Sequence, residues 1–339
     1  MIRDIDELEE RLARPSPALV DYIRQLEGDL LVLGAGGKMG PSLVALACNA
    51  IRASGATKTV TAVSRFGDER LRSRLEAAGA ATISLDLLEP GALEQLPDAA
   101  NVIYMVATKF GTSGNEYLTW AQNAYLPGLV GQRFAESRVV AFSSGNVYPL
   151  VPVAGGGSKE SDPVGPVGEY GQSVLGRERL FEYAAHRYGT RSLFLRLNYA
   201  VELRYGTLVD IAQAIREGTP IDLAMGHMNV IWQGDANEVA LRSLALTDAP
   251  PEVLNVTGPE TVSVRRVASL LAERLGREAV LVGEEEPTAL LSNAGKAHAL
   301  FGYPSVTLEQ MIDWVAHWVA AGAQTHGIPT KFSVRSGEF

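Results

Sequence analysis

The stretch that decides the fold is Leu31-Val32-Leu33-Gly34-Ala35-Gly36-Gly37-Lys38-Met39-Gly40, and a helical pattern follows from Pro41. The apolar run predicts a buried strand, and the glycines after it predict a tight turn into a helix. Glycines at 34, 37 and 40 would let the backbone approach a pyrophosphate, which the N–H groups and positive potential of a helix N-terminus stabilise. A glycine-rich turn without a ligand is the alternative. The sequence therefore predicts a dinucleotide site at Gly34, Gly36, Gly37, Lys38, Met39 and Gly40.

Outward from this turn, short β-rich runs alternate with helical patterns. Such alternation is typical of right-handed βαβ units and of a parallel sheet with helices on both faces. We therefore predict an α/β fold, a Rossmann doubly wound parallel sheet over residues 29–200, with a smaller C-terminal substrate lobe over 201–339 that is interleaved with the sheet. The predicted sheet strands are Leu30 to Leu33, Thr59 to Val63, Ala81 to Leu85, Val102 to Val106, Val139 to Phe142 and Ser192 to Leu197.

Two further segments flank or interrupt this pattern. Residues 1–28 predict a helical extension of two short helices, broken at Pro15 and Pro17, that packs on the main domain. The stretch from Pro149 to Glu169 is rich in Pro, Gly and Ser. Because loops of this length usually cover or bind something, we expect it to act as a lid or binding segment.

Composition excludes several classes of function. The chain has 339 residues, 46% hydrophobic, and a net charge of −9, which argues against a nucleic-acid surface. Its longest apolar runs are far shorter than a membrane span, and its acidic start lacks the features of a secretory signal, so a cytoplasmic protein is expected. Cys48, the single cysteine, cannot form an internal disulfide and lies in an apolar run, which favours inert packing. The scattered histidines predict no metal site.

The end of the second predicted strand bears on the choice of cofactor. An acidic residue there would bind the ribose 2′-hydroxyl of NAD, whereas this sequence has Ser64 and Arg65. A hydroxyl and a guanidinium suit a 2′-phosphate, so NADP is slightly favoured over NAD. The alternative is a solvated Arg65 that stacks on adenine in an NAD enzyme.

With this turn in place, most of the chain from about Asp29 to Ala320 resembles the extended short-chain dehydrogenase/reductase family, which includes epimerases and dehydratases. Further segments match in order: Asp86-Leu87, Ile103 to Lys109, Asn123, Val139 to Tyr148, Glu169 to Val174, Arg196 to Tyr199 and Leu254 to Gly258. The resemblance implies that the remaining cofactor contacts are Asp86, Leu87, Val106, Ala107, Lys109, Asn123, Tyr170 and Asn198.

The resemblance also implies a catalytic pair. In this family a Tyr exchanges the substrate hydroxyl proton, a Ser hydrogen-bonds the same oxygen, and a Lys four residues after the Tyr lowers the pKa of the phenol. Tyr170 and Ser144 match the first two, but Val174 stands at the Lys position. We expect Lys109 to be the substitute cation, although a surface lysine or a phosphate contact is an equal alternative for it. A packed aromatic and a strand-capping hydroxyl are the structural alternatives for Tyr170 and Ser144.

Two departures from the family bear on the substrate. Gly145 and Asn146 stand where the dehydratase branch has acidic residues, and Met228 stands where the sugar-nucleotide branch has an Arg for the diphosphate. We therefore predict a smaller sugar, sugar acid or polyol derivative, with Arg204 able to hold a carboxylate. Replacement of the missing Arg by Arg204 or a lid residue is the alternative. The predicted substrate contacts are Ser144, Asn146, Asn198, Arg204 and His227.

Together these features predict an NAD(P)-dependent oxidoreductase or epimerase that acts on a hydroxyl-bearing carbon of a sugar-like substrate. The alternative is a non-catalytic NAD(P)-binding sensor or scaffold, for which Val174 is the main argument. The resemblance further implies a homodimer formed through the helices from Tyr117 to Arg133 and from Tyr170 to Tyr188.

Overall fold

Strands and helices alternate along the computed structural model, which describes residues 1–109, 111 and 114–338. The strands are β1 (Leu30–Leu33), β2 (Val60–Ser64), β3 (Ala81–Ser84), β4 (Asn101–Tyr104), β5 (Arg138–Ser144), β6 (Val151–Pro152), β7 (Arg191–Leu197), β8 (Ala200–Val201), β9 (Ile221–Asp222), β10 (His227–Met228), β11 (Ile231–Trp232), β12 (Glu252–Val256), β13 (Val262–Ser263), β14 (Leu281–Val282) and β15 (Thr288–Ala289). The helices are α1 (Ile5–Leu12), α2 (Pro17–Gln25), α3 (Gly40–Ser54), α4 (Glu69–Ala78), α5 (Glu116–Trp120), α6 (Leu126–Arg133), α7 (Gly168–Tyr188), α8 (Thr207–Glu217), α9 (Gln233–Arg242), α10 (Val264–Leu275), α11 (Gly295–Phe301) and α12 (Leu308–Ala320). Within the described ranges, no helix combines the length and apolar character that crossing a membrane requires.

Seven strands form one parallel sheet in the order β12-β7-β5-β4-β1-β2-β3. The chain runs from β1 to one side through β2 and β3, and then crosses back to continue on the other side from β4. Strand order therefore reverses beside β1, and open α/β sheets bind ligands at the carboxyl ends of the strands at such a reversal. The Rossmann fold predicted from the sequence is confirmed.

Both faces of the sheet are covered, as the apolar character of β1 requires. Leu30 and Val32 pack into a core with helices α2, α3 and α9, whereas Leu31 and Leu33 pack into a second core with α6 and α7. Alternate residues of a strand point to opposite faces, so a strand between two helical layers needs four apolar residues in a row.

A separate apolar core holds the C-terminal lobe together. Helices α8, α10 and α12 pack around it, and Trp232 and Trp318 are fully buried there. The N-terminal helices join the two parts, because Leu8 of α1 lies in the lobe core and Leu19 of α2 lies in the sheet core. Cys48 is buried in α3, and burial raises the pKa of its thiol to about 11, in keeping with inert packing.

Candidate functional site

The glycine-rich turn after β1 is shaped by close backbone contacts. Gly34 has a φ of +87°, and a Cβ there would lie 2.8 Å from the amide nitrogen of Val106. A Cβ at Gly40 would overlap the carbonyl oxygen of Ala35. Gly37 is different, because it is exposed and a Cβ there would meet only the carbonyl oxygen of Gly34, at 3.4 Å. The turn therefore presents bare backbone to the solvent at the start of α3, which fits a pyrophosphate.

One half of the cleft lies on the β2 and β3 side of this turn. It is a cavity of about 220 Å³, and it suits the adenosine end of a dinucleotide because it adjoins Gly34 and Gly37. The Arg65 guanidinium lies 3.7 Å from the Asp86 carboxylate, with 69% and 40% of the two side chains exposed. Such an exposed ion pair is weak, so Arg65 can turn to another anion at little cost. The cofactor residues that the sequence predicts on this side are brought together: Gly36, Ser64, Arg65, Asp86, Leu87, Val106 and Ala107.

The other half of the cleft lies between the sheet and the lobe. It is a cavity of about 280 Å³ that shares Gly34, Gly37 and Ala107 with the first half, so the two are continuous. The structure places here the predicted residues Lys38, Met39, Gly40, Lys109, Ser144, Asn146, Tyr170 and Asn198.

Tyr170 and Ser144 meet in this second half. Ser144 ends β5, and its Oγ donates to Asn146 Oδ1 and accepts from the Asn146 amide, both at 3.1 Å. Tyr170 lies in the first turn of α7. This turn packs closely against the segment after Ser144, since a Cβ at Gly171 would lie 2.7 Å from the Asn146 carbonyl oxygen. Burial raises the pKa of the Tyr170 phenol, while the charge of Arg177 and a hydrogen bond with Ser144 oppose that rise. Both side chains therefore line the same half of the cleft.

Arg177, which the sequence reasoning missed, supplies a positive charge beneath this pair. Val174 is fully buried in a small apolar cluster with Tyr170, so no charge is present at the expected Lys position. Arg177 lies two helical turns after Tyr170, is 2% exposed and lines the cleft. In the described part of the chain its hydrogen bonds go to neutral acceptors: the carbonyls of Phe142, Val106 and Asn123 and the amide oxygen of Asn123. Its i+7 spacing from Tyr170 is the signal that could have identified it.

Asn123 holds the loop after β4 and does not line the cleft. It lies in a turn of π-helix, Ala121–Tyr125, and is fully buried. Its amide donates to the Thr108 carbonyl at 2.9 Å and to Ser173 Oγ at 3.0 Å, while its oxygen accepts from the Thr108 amide and from Arg177. Asn123 therefore positions the loop after β4, and the structure does not place it where the predicted cofactor contact needs it.

Two lysines line this half of the cleft, and they lie in the loops that follow the neighbouring strands β1 and β4. The Lys109 Nζ lies 5.8 Å from the centroid of the Tyr170 ring. The Lys38 Nζ donates to the Ala200 carbonyl at 2.8 Å and lies 4.6 Å from the Tyr205 ring centroid, so it points toward the lobe. Burial lowers the pKa of each ammonium group to about 8. Other lining residues that the sequence did not single out include Met105, Tyr199, Tyr205, Thr207 and Thr330.

Two predicted substrate contacts lie outside the described lining of the cleft. Arg204 donates to Glu9 at 2.6 Å and to Glu202 at 3.0 Å, so its charge is neutralised by carboxylates of α1 and the lobe. His227 belongs to β10, where it pairs with Ser263 of β13. We therefore correct both assignments. Met228 is fully buried beside His227 and presents nothing to a ligand.

The predicted lid is also corrected. The segment 149–169 is fastened to 287–293: β6 pairs with β15, and the Ser158 amide donates to the Leu291 carbonyl at 2.9 Å. None of its residues is among the described lining of the cleft. Instead, the C-terminal tail reaches the cleft at Thr330, whose amide and hydroxyl donate to the Asp210 carboxylate at 2.7 and 2.6 Å.

A buried ion pair fixes the strands and helix that carry the two hydroxyl groups. Glu178 of α7 accepts from Arg196 of β7 at 2.9 and 2.6 Å and from Ser143 of β5 at 2.6 Å. Arg196 also donates to the Tyr148 hydroxyl at 2.7 Å. Because a buried pair is held by all of its hydrogen bonds at once, this network locks α7 against β5, and thus Tyr170 against Ser144.

Solved structures of the same fold are similar to nearly the whole chain. A UDP-glucuronic acid 4-epimerase mutant from Bacillus cereus, in complex with a fluorinated UDP-glucuronic acid and NAD, superposes with a TM-score of 0.73 at 18% identity, covering 86% of this chain and 99% of that one. A UDP-glucose 4-epimerase from Thermotoga maritima superposes with a TM-score of 0.70 at 16% identity, and MoeE5 with UDP-glucose and NAD superposes with a TM-score of 0.69 at 21% identity. Each of these two superpositions covers 87% of this chain and 99% of the other chain. No curated protein matches this sequence.

The family itself is shown by the sequence of the Rossmann part. Residues 30–201, slightly more than half of the chain, match the model of the NAD dependent epimerase/dehydratase family. That segment contains the glycine turn, Ser144, Tyr170 and Arg177. The resemblance noted from the sequence is confirmed: the chain belongs to the NAD dependent epimerase/dehydratase family, a family of enzymes.

Proposed function

We propose that this chain is an NAD(P)-dependent oxidoreductase or epimerase that acts on a hydroxyl-bearing carbon of a sugar-like substrate. The observation that carries the proposal is that Tyr170 and Ser144 line one half of a cleft that is continuous with the glycine turn. A dinucleotide held at Gly34 and Gly37 would supply the hydride acceptor for the carbon that bears the hydroxyl group.

Each hydroxyl group of the pair has a distinct role. Tyr170, as the phenolate, accepts the substrate hydroxyl proton during oxidation and returns a proton during reduction. The Ser144 hydroxyl, which donates to Asn146 Oδ1 in this structure, would turn to donate a hydrogen bond to the same substrate oxygen. The Asn146 backbone N–H, which donates to Ser144 Oγ at 3.1 Å, keeps that hydroxyl group oriented. The substrate carbon loses a hydride with its electron pair and its oxygen loses a proton, so a carbonyl group forms. Return of the hydride to the opposite face would complete an epimerisation.

Arg177 replaces the absent Lys in this scheme. It is the positive group whose charge lowers the pKa of Tyr170, against the larger effect of burial. Its guanidinium is buried and held at fixed acceptors, so it acts on the phenol through space rather than by proton transfer. Lys109, above the Tyr170 ring, stays a candidate for the same function.

The alternative class is a non-catalytic NAD(P)-binding sensor, favoured by the apolar Val174 and by the raised pKa of Tyr170. The presence of both Tyr170 and Ser144 in the lining of one half of the cleft supports an enzyme instead, because a sensor has no need of a phenol and a serine hydroxyl beside the nicotinamide. Turnover with any hydroxylated substrate separates the two classes.

For the substrate we propose a sugar derivative without a nucleotide. Arg177, the one arginine in the described lining of the half beside Tyr170, is directed at backbone carbonyls, and Met228 is buried. A diphosphate is usually held by a bidentate arginine, and the lysines of this half, Lys38 and Lys109, do not offer that planar pair of donors. The names of the UDP-sugar enzymes with this fold make a nucleotide sugar the second candidate.

A substrate screen distinguishes these candidates. We expect free sugars, aldonic acids or uronic acids to reduce NAD(P), and UDP-, dTDP- and GDP-sugars to be poor substrates. Cofactor absorbance follows the reaction. A nucleotide sugar turned over with a kcat/KM above about 10⁴ M⁻¹s⁻¹, a typical enzyme efficiency, would contradict the proposal.

We also propose a preference for NADP, carried by Ser64 and Arg65. Arg65→Ala should lower the ratio of NADP to NAD affinity roughly tenfold, since a charge-assisted hydrogen bond contributes about 1.5 kcal/mol. Calorimetric titration with both cofactors measures the ratio. Arg24→Ala, an exposed arginine outside both halves of the cleft, is the matched control. An unaltered ratio in Arg65→Ala would remove the proposal.

For assembly we propose a homodimer through α5, α6 and α7. Large aromatic side chains are exposed on this side of the molecule, which is unusual for a surface that faces only water. They are Tyr117, Trp120, Tyr125, Tyr183 and Tyr188.

A further inference from the structure

The C-terminal tail, residues 321–338, returns from the end of α12 across the lobe to the first turn of α7. These residues form no helix or strand, so contacts with other segments fix their path. The Phe332 side chain is buried in the lobe core, and Arg335 donates to the Thr288 carbonyl at 2.7 Å. A Cβ at Gly337 would overlap the backbone carbonyl oxygen that precedes α7. The tail is therefore packed against the lobe and against the helix that carries the proposed catalytic tyrosine.

One part of the tail, residues 327–333, lies between two cavities, and we call it the partition. Thr330 lines the half of the cleft that contains Tyr170. The other residues of the partition line a second cavity of about 460 Å³ against α8: Gly327, Ile328, Pro329, Lys331, Phe332 and Ser333. The described linings of the two cavities share no residue. The partition and the first turns of α8 therefore form the wall between them.

The Asp210 carboxylate of α8 holds the partition in this position. It accepts the amide and the hydroxyl of Thr330 at 2.7 and 2.6 Å, and hydrogen bonds to a charged acceptor are the stronger ones. The next residue, Lys331, has a φ of +54°, in the left-handed region. A residue with a side chain stays there only where its surroundings hold it. Loss of the bonds to Asp210 should therefore let the partition move away from α8.

We propose that the partition is a specificity-determining segment, which excludes substrates that extend beyond the sugar toward α8. The proposal rests on the proposed function and deepens it, because it names the wall that limits the size of the substrate. With the partition in place, a nucleotide joined to the sugar on that side would overlap Thr330. With the partition displaced, the two cavities of about 280 and 460 Å³ would join and admit the larger ligand.

Calorimetric titration of UDP-glucose into the NADP⁺-saturated chain tests this without requiring turnover. A ligand that needs the displaced partition binds in proportion to the fraction of molecules in that state. Thr330→Val removes one charge-assisted hydrogen bond at nearly constant shape, so UDP-glucose should bind roughly tenfold more tightly than to the wild type. Asp210→Ala removes the acceptor of both bonds and should have the larger effect. Thr330→Ser keeps the hydroxyl group and should behave like the wild type.

The controls separate release of the partition from a general change in the protein. D-glucose and NADP⁺ do not need the displaced partition, so their affinities should be the same in all variants. Thr261→Val, at an exposed threonine outside both cavities, should leave the UDP-glucose affinity unchanged. Hydrogen exchange of residues 327–333, followed by mass spectrometry, should be faster in Thr330→Val and Asp210→Ala than in the wild type.

The proposal is overturned if UDP-glucose binds no better to Asp210→Ala than to the wild type although hydrogen exchange shows the partition released. It is also overturned if D-glucose gains as much affinity as UDP-glucose, because the effect would then not depend on size. Unaltered exchange in Asp210→Ala would show that Asp210 does not hold the partition, with the same consequence. Failure of the chain to bind NADP⁺ at all would instead count against the proposed function.

Discussion

Tyr170→Phe should reduce turnover about 100-fold or more and leave cofactor affinity intact. The substitution removes only the phenol oxygen, which we propose exchanges the substrate proton, and a general acid or base contributes about that factor. Steady-state rates and calorimetric cofactor titration on the same preparation measure the two effects. Tyr303→Phe, at an exposed tyrosine outside both halves of the cleft, is the matched control. A Tyr170→Phe enzyme of nearly normal activity would show that the proton takes another route.

The pH dependence of the oxidation rate is a second test of the proposed role of the Tyr170 phenol. Burial raises the pKa of Tyr170, so the phenol is protonated at neutral pH and the oxidation rate should keep rising toward alkaline pH. Arg177→Met removes a charge that lowers the pKa of Tyr170, so the pH profile of the oxidation rate should move to still higher pH. We expect the oxidation rate at neutral pH to fall roughly tenfold, equivalent to about 1.4 kcal/mol. Arg177→Lys keeps the charge and should restore the pH profile.

If a folded Arg177→Met variant kept the wild-type pH profile of the oxidation rate, Arg177 would have only a packing role. Lys109 gives a different expectation, because its ammonium group lies over the Tyr170 ring. A plateau already present at pH 7 that disappears in Lys109→Met would identify Lys109 as the supporting cation.

Gly37→Asp should abolish dinucleotide binding, a loss of roughly 1000-fold. Gly37 lines both halves of the cleft, and a Cβ there has only one near contact, so the fold tolerates a side chain that projects into the cleft. A carboxylate against a pyrophosphate is an uncompensated like charge that costs about 4 kcal/mol. Titration with NAD and NADP measures the loss.

Gly155→Asp is the control for that substitution. Gly155 is exposed, has open space around its Cβ position and lies outside the cleft, so the same charge should leave cofactor affinity unchanged there. Unaltered affinity in Gly37→Asp would remove the glycine turn from the cofactor site.

The parts of the molecule governed by local backbone chemistry were predictable from the sequence. The apolar run before Gly34 predicts β1 at its observed residues, since a four-residue apolar strand between helices needs no distant information. Ser144 and Tyr170 were predicted from the resemblance to the extended short-chain dehydrogenase/reductase family, and the structure places both in the lining of one half of the cleft.

The rest depends on side chains that meet only after folding. The sequence shows that Val174 stands where the family has a Lys, four residues after Tyr170. It does not show that Arg177, one helical turn later, reaches the cleft beside Tyr170. The ion pairs that remove Arg204 from the cleft come from Glu9, in a helix distant in sequence. The attachment of segment 149–169 to 287–293 likewise joins residues more than a hundred positions apart, which no local pattern encodes.

A crystal structure of the chain with bound NADP⁺ tests the central claim most directly. We expect the pyrophosphate against Gly34 and Gly37, the adenosine ribose in the half lined by Ser64 and Asp86, and the nicotinamide beside Tyr170 in the half that contains Ser144. A cofactor bound elsewhere on the molecule, or one whose nicotinamide lies away from Tyr170, would contradict the account.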